Sequence, residues 1–189
     1  RSSDLNDSFM DFIELCKIRE SCRSYTGEAV SDEALRTIVE AGRLSPSACN
    51  SQPWKFYVVN GDSHADTVRR GVQIMGNNKF TDGSPAFIVV TGSKPNYPER
   101  VGQVIFGRDF SSIDIGIAVA NMTLCASSLG LGTCILGMFT ESTVKEGVGL
   151  SKKDKSKVQL VICVGVPAKK EPRKKSRKST DEVAVFVKG

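Results

Sequence analysis

Two short apolar runs constrain the fold most. Ala86–Val90 contains no polar residue, and Val158–Val164 contains only Gln159. Segments of this length read as strands. Their lack of alternation is expected of a sheet covered on both faces. Phe56–Val59 reads as a third strand, closed by Asn60-Gly61-Asp62. Helical spacing surrounds them. Phe9, Phe12, Ile13 and Cys16 share one face, with Asp7 or Ser8 as the cap. Leu35, Ile38, Val39 and Gly42 share another in a helix starting at Ser31, and a third helix runs from Ser63 to about Met75. A long helix follows a cap at Ser111 or Ser112, with Ile113, Ile117, Ala120 and Leu124 expected inward, and Gly130-Leu131-Gly132 ends it. Val101–Phe106 resumes structure after breakers, a short helix is expected near Thr140–Glu146, and Val183–Val187 reads as a strand-like tail. Two helices precede the first strand and strict βαβ alternation is missing. The expected class is therefore α+β, one domain over 1–189, and not a doubly wound dinucleotide fold.

Composition narrows function by exclusion. With 40% hydrophobic and 25% charged residues the chain has an ordinary globular mix. Its apolar runs are shorter than a bilayer span, so no membrane partner is expected. Arg1–Asp4 shows no signal-like region, which with six cysteines and no CxxC pair reads as free thiols in the cytoplasm. His64 is the single histidine and lies in a polar helix start. Zinc, triad and Cys–His chemistries would all need it, so redox or transfer chemistry points to a bound cofactor. The net charge is +5, but Lys169–Lys178 alone carries seven cations against Glu171, which leaves the remaining chain at −1. A neutral body argues against a broad nucleic-acid face.

Three segments are candidates for chemistry. Arg19-Glu20-Ser21-Cys22-Arg23-Ser24 offers guanidinium and hydroxyl groups suited to a phosphate. It also reads as a solvated helix end with dipole-favourable cations. Pro46-Ser47-Ala48-Cys49-Asn50-Ser51-Gln52-Pro53-Trp54 is a dense polar turn whose amides suit a heterocycle edge; a plain loop is the alternative. Leu129–Gly137 is glycine-rich, which fits either close approach of a ligand or a simple helix end.

Taken in order, these segments resemble the nitroreductase family of flavoproteins. The likeness runs from Arg19–Tyr25 and Ser31–Leu35 through Pro46–Trp54. It continues with Asp114, Ala118 and Asn121 into Leu129–Thr133, and ends at Gly165-Val166-Pro167 and the basic run. The resemblance implies a three-layer α/β/α sandwich with a mixed, mainly antiparallel sheet. It also implies a homodimer with FMN sites at the interface. Arg19, Glu20, Ser21 and Arg23 fall on the phosphate motif, joined by Lys175 and Arg177, with Lys178 as the alternate. Pro46, Ser47, Ala48 and Asn50 fall on the stretch contributed across the interface, and Gln52 on ring or ribityl contacts. Lys79 matches a lysine at the N1/O2 edge, where a cation stabilises reduced flavin. Gly137 and Met138 match backbone donors to O4 and N5.

Two positions depart from the family pattern: Glu20 where Arg or His is common, and Gly76 where some members carry Asn, with Asn77 or Asn78 as replacements. Glu20 is expected to pair with Arg19 or Arg23. Lys169, Lys170, Arg173 and Lys174 are left as a solvated face, and Tyr97, Phe106 and Phe110 as pocket or core residues. The implied activity is ping-pong transfer of hydride from NAD(P)H through FMN to a flat electron-poor small molecule, such as a nitroaromatic or quinone. Dehalogenation, heterocycle oxidation, flavin cleavage, non-enzymatic flavin binding and a nucleic-acid-binding tail are the competing readings.

Overall fold

The computed structural model describes residues 11–188 apart from 62, 94, 95, 152 and 170. Its centre is an antiparallel sheet of four strands, β1 (Trp54–Asn60), β2 (Ala86–Gly92), β3 (Gly132–Leu136) and β4 (Lys157–Gly165), in the order β1-β2-β4-β3. The parallel component among the described residues is one isolated bridge, Ser21 to Thr133. The sequence pattern predicts no strand at β3, because five residues opening on glycine look like the end of a helix.

The period-2 alternation of β2 and β4 divides the core. Phe87, Val89, Val161 and Cys163 face one side, where they pack with Ala65, Val68 and Val72 of α3 (Ser63–Val72) and Val144 of α6 (Glu141–Gly147). Ala86, Ile88, Val90, Ile162 and Val164 face the other, against α2 (Asp32–Arg43) and α5 (Phe110–Ser128). Each large aliphatic side chain fully buried this way contributes roughly 1.5–3 kcal/mol. The result is the expected α/β/α sandwich.

Local signals account for most helix ends. Ser31 caps α2 by accepting from Ala34 N, 3.2 Å. The first helix, α1 (Phe12–Ile18), is capped by Asp11; Asp7, Ser8 and Phe9 lie outside the described residues. Helix α5 is capped by Asp109, which accepts from Ser112 N at 3.1 Å, so Ser112 donates rather than caps. Helix α3 stops at Val72, and left-handed Met75, Gly76 and Asn78 form a turn beyond it. Residues Tyr97–Phe106 form α4. The side chains of Tyr97 and Phe106 lie outside the described residues.

Two expectations are corrected. Helix α5 turns Ile115, Ala118, Val119, Met122 and Ala126 inward, while Ile113 and Ile117 are 56% and 38% exposed. The helix is apolar nearly all round, so periodicity could not choose its buried face. At 19 residues and a mean hydropathy of 1.3 it is also long and apolar enough to cross a membrane, but here it packs on α2 and the sheet and buries Asp114. The tail does not form a strand. Thr180–Val183 makes a short helix, α7, through a Ser179–Glu182 capping box, and Ala184–Lys188 runs on without a partner strand among the described residues.

Candidate functional site

The Arg19–Tyr25 segment leaves α1 and lies along the free edge of β3. Cys22 N donates to Thr133 O (2.8 Å), and Gly132 makes the approach possible: a Cβ there would meet Cys22 Sγ at 2.7 Å and Pro167 at 3.1 Å. The chain leaving β4 joins the same segment through Thr26 N to Val166 O and Ala168 N to Ser24 O, both 3.0 Å. Residues about 150 positions apart in sequence are thereby set side by side.

What they enclose is a basic groove of about 320 Å³ lined by Arg19, Glu20, Ser21, Arg23, Arg173, Lys174, Lys175, Ser176 and Arg177. The structure thus gathers the sequence-predicted Arg19, Glu20, Ser21, Arg23, Lys175 and Arg177 in one place. Arg173 and Lys174 belong there as well, and Lys169 lines the adjoining grooves, so these three are not merely a solvated face; Lys170 lies outside the described residues. Glu20 pairs with neither Arg19 nor Arg23. Its carboxylate accepts from Arg173 Nε (2.9 Å) and Arg173 N (3.2 Å), while Arg173 Nη2 donates to Ser21 O at 2.8 Å. Burial, with Arg19 and Arg177 alongside, holds the Lys175 ammonium below its usual range. Six cations facing one carboxylate make an anion site, and the Arg side chains can bind a phosphate through paired donors.

At the far end of β3, about 13 Å from Thr133 along an extended strand, Gly137 and Met138 are exposed. Thr140 N to Gly71 O (2.8 Å) ties this end to α3. Past α3, Lys79 opens a 3-10 turn (Lys79–Gly83) and is exposed. Arg69 fixes that turn by donating to Thr81 O and Ser84 O, each 3.0 Å. Asn78 spends its amide on Val72 O (2.9 Å), while Asn77 is exposed.

The Pro46–Gln52 loop stands apart from the groove. It joins α2 to β1 and is held by α5: Asn121 Nδ2 donates to Ser45 Oγ (2.8 Å), and Asp114 Oδ2 accepts from Ala48 N (3.0 Å). Cys49, Asn50 and Gln52 all adopt positive φ, near +50°. Gln52 Nε2 donates to Asn50 Oδ1 at 3.1 Å, so the two exposed amides act as one group. His64 is exposed and joined to Gly147 O at 3.0 Å, away from all of these residues.

Buried thiols lie behind the groove. Cys134 and Cys163 face each other across β3 and β4, and Tyr25 Oη lies 3.2 Å from Cys163 Sγ. The Cys163 neighbour, with lesser contributions from Arg23, Ser21 and Arg173, holds the Cys134 thiol below its usual range, and Cys163 is raised in turn.

The geometry is that of a three-layer α+β domain with a polycationic groove at one sheet edge. Comparison narrows the class: the nitroreductase family model matches residues 17–74 and 65–166, and the chain belongs to that family. A Haemophilus influenzae relative with a provisional NAD(P)H nitroreductase designation is 28% identical, over 93% of this chain and 96% of its own. A nitroreductase-type protein from Desulfovibrio desulfuricans, solved in complex with FMN, is 28% identical at a TM-score of 0.74, over 96% of this chain and 99% of its own. The NADPH:FMN oxidoreductase of Vibrio harveyi shares the fold at a TM-score of 0.72 and 24% identity, over 94% and 77%.

Proposed function

We propose that this chain is an NAD(P)H-dependent FMN oxidoreductase acting as a homodimer. The groove that joins Arg19, Ser21 and Arg23 to Lys175 and Arg177 carries the reading. It suits a dianionic phosphate. Bound FMN would supply two-electron chemistry, taking hydride from a nicotinamide and passing it to an acceptor. The chain's own groups would bind and orient. Gly137 and Met138 offer backbone donors at the end of the strand that starts at the groove, and Lys79 offers a cation from the turn that precedes β2. The exposed apolar Met138 favours a flat, electron-poor acceptor such as a quinone or nitroaromatic.

The homodimer reading has support of its own. The outer face of α5 (Ile113, Ile117) and the adjoining α1 (Phe12, Ile13) present exposed apolar side chains. β1 is an open sheet edge, and the apolar tail, with Val185 and Val187 about nine-tenths exposed, has the alternation of a strand that such an edge can pair. A second copy would cover both, and would bring a Pro46–Gln52 loop toward each groove. The free cysteines fit a reducing cytoplasm.

The test is purification with and without added FMN, followed by NADH and NADPH oxidation with a quinone acceptor. A yellow dimer that bleaches with a nicotinamide donor and recovers with quinone is expected. A flavin-loaded protein without turnover would leave a flavin carrier and sink the enzyme reading.

A further inference from the structure

We propose that Asp114 is a positioning residue for the flavin site, holding the Ala48–Gln52 turn in its left-handed form. The inference rests on the FMN reading above. Cys49, Asn50 and Gln52 are three non-glycine residues at positive φ within four positions. Such backbone is costly and persists only where the surroundings over-determine it. Asn121 anchors Ser45, Ser47 Oγ accepts from Gln52 N at 2.9 Å, and Asn96 donates to Cys49 O at 2.9 Å. The Asp114 carboxylate adds the charged tie, at the residue that opens the turn. It is 4% exposed on the inner face of α5, among Ile115, Ala118 and Val119. A carboxylate is expensive to place there, and a charge-assisted bond to a backbone N–H offsets that cost. The turn it fixes presents Asn50 and Gln52 outward together. Asp114 itself touches no ligand; it sets the geometry of the amides that do.

The test uses the full chain, stripped of flavin and titrated with FMN, with the emission of Trp54, the single tryptophan, as a local reporter next to the loop. Asp114→Ala is expected to weaken FMN about tenfold and to shift Trp54 emission in the flavin-free protein. Asp114→Asn, a neutral acceptor of the same shape, falls between at about threefold. Val144→Ala, buried in the other half of the core, matches the loss of Tm but leaves both readouts at wild-type values. Wild-type affinity and emission in the Asp114 variants, with only Tm reduced, overturns the proposal. Should Asp114→Ala not fold, Asp114→Asn decides alone by the same two readouts. If the wild-type chain binds no FMN, the flavin reading fails, while the Trp54 comparison still judges whether Asp114 holds the loop.

Discussion

The groove at Arg19–Arg177 and the loop at Pro46–Gln52 are made in opposite ways. The groove is assembled within one chain from segments distant in sequence, brought together by the edge of β3 and the exit of β4. Its local backbone is extended and needs only close contact at Gly132. The loop is contiguous, strained and clamped by Asp114, and its Asn50 and Gln52 amides are exposed. An anion can be gripped by cations alone, because attraction reaches several ångströms and tolerates misplacement. A planar ring edge needs donors at fixed positions, which only rigid backbone supplies. In the proposed dimer, one half would be electrostatic and complete in each chain, and the other geometric and supplied by the partner.

The largest expected effect strikes the electrostatic half. Replacing Arg19 and Arg177 together by Ala removes two charge-assisted contacts of roughly 1.5–3 kcal/mol each. FMN affinity should drop about a hundredfold or more by fluorescence titration, with the sheet and Tm little changed. Unaltered affinity would remove the phosphate from this groove. The geometric half is reached through assembly. Ile117→Glu puts a charge on the exposed apolar face of α5. Sedimentation velocity should show a monomer with normal circular dichroism, and FMN should bind at least about tenfold more weakly, since a charge buried in an interface costs several kcal/mol. A monomer with full FMN affinity would mean that each chain completes its own site.

The pH dependence of binding separates the halves more gently. Lys175 is held low by burial and by Arg19 and Arg177. Its charged form is therefore less favoured than in a free lysine, and an anion would restore it. At alkaline pH, FMN binding should draw a proton onto Lys175, and affinity should fall as pH rises through its lowered range. At the acid end, affinity should fall below about pH 6 as the phosphate becomes a monoanion. Calorimetry in buffers of different ionisation enthalpy reads the proton count directly. A flat alkaline limb would mean Lys175 lies outside the binding shell.

How much of this was legible in the sequence follows the same division. Ala86–Val90 announced a doubly covered strand, and Ser31 with Leu35, Ile38 and Gly42 announced α2 and its buried face. The family resemblance named Arg19, Glu20, Ser21, Arg23, Lys175 and Arg177 together, and the fold brings all six to one groove. What sequence could not supply was orientation. Helix α5 carries apolar residues on both faces, one for the sheet and one for solvent or a partner, so its period pointed to the wrong stripe. The tail has strand chemistry but pairs with no strand among the described residues. Glu20 found Arg173, not Arg19 or Arg23, because the exit of β4 delivers Arg173 to it, a contact no local pattern encodes.

That ion pair gives the smallest and most discriminating comparison. Arg173 is mostly exposed, and pairs of this kind contribute about 0–1 kcal/mol. The two partners nevertheless differ in sign toward an anion. Arg173 adds a cation to the groove and ties the basic tail to Ser21 O; Glu20 subtracts a charge. Glu20→Gln keeps an acceptor for Arg173 N and Nε, so the tether survives while the repulsion goes. FMN should then bind up to about threefold more tightly, and Arg173→Ala should weaken it by about the same factor. Added salt should shrink both changes, since the groove is open to solvent. Losses in both variants would make the pair a structural clasp whose charges do not reach the ligand. Opposite signs would show Glu20 trimming an excess of positive charge, the behaviour of a site whose affinity is set by electrostatics and not by fit.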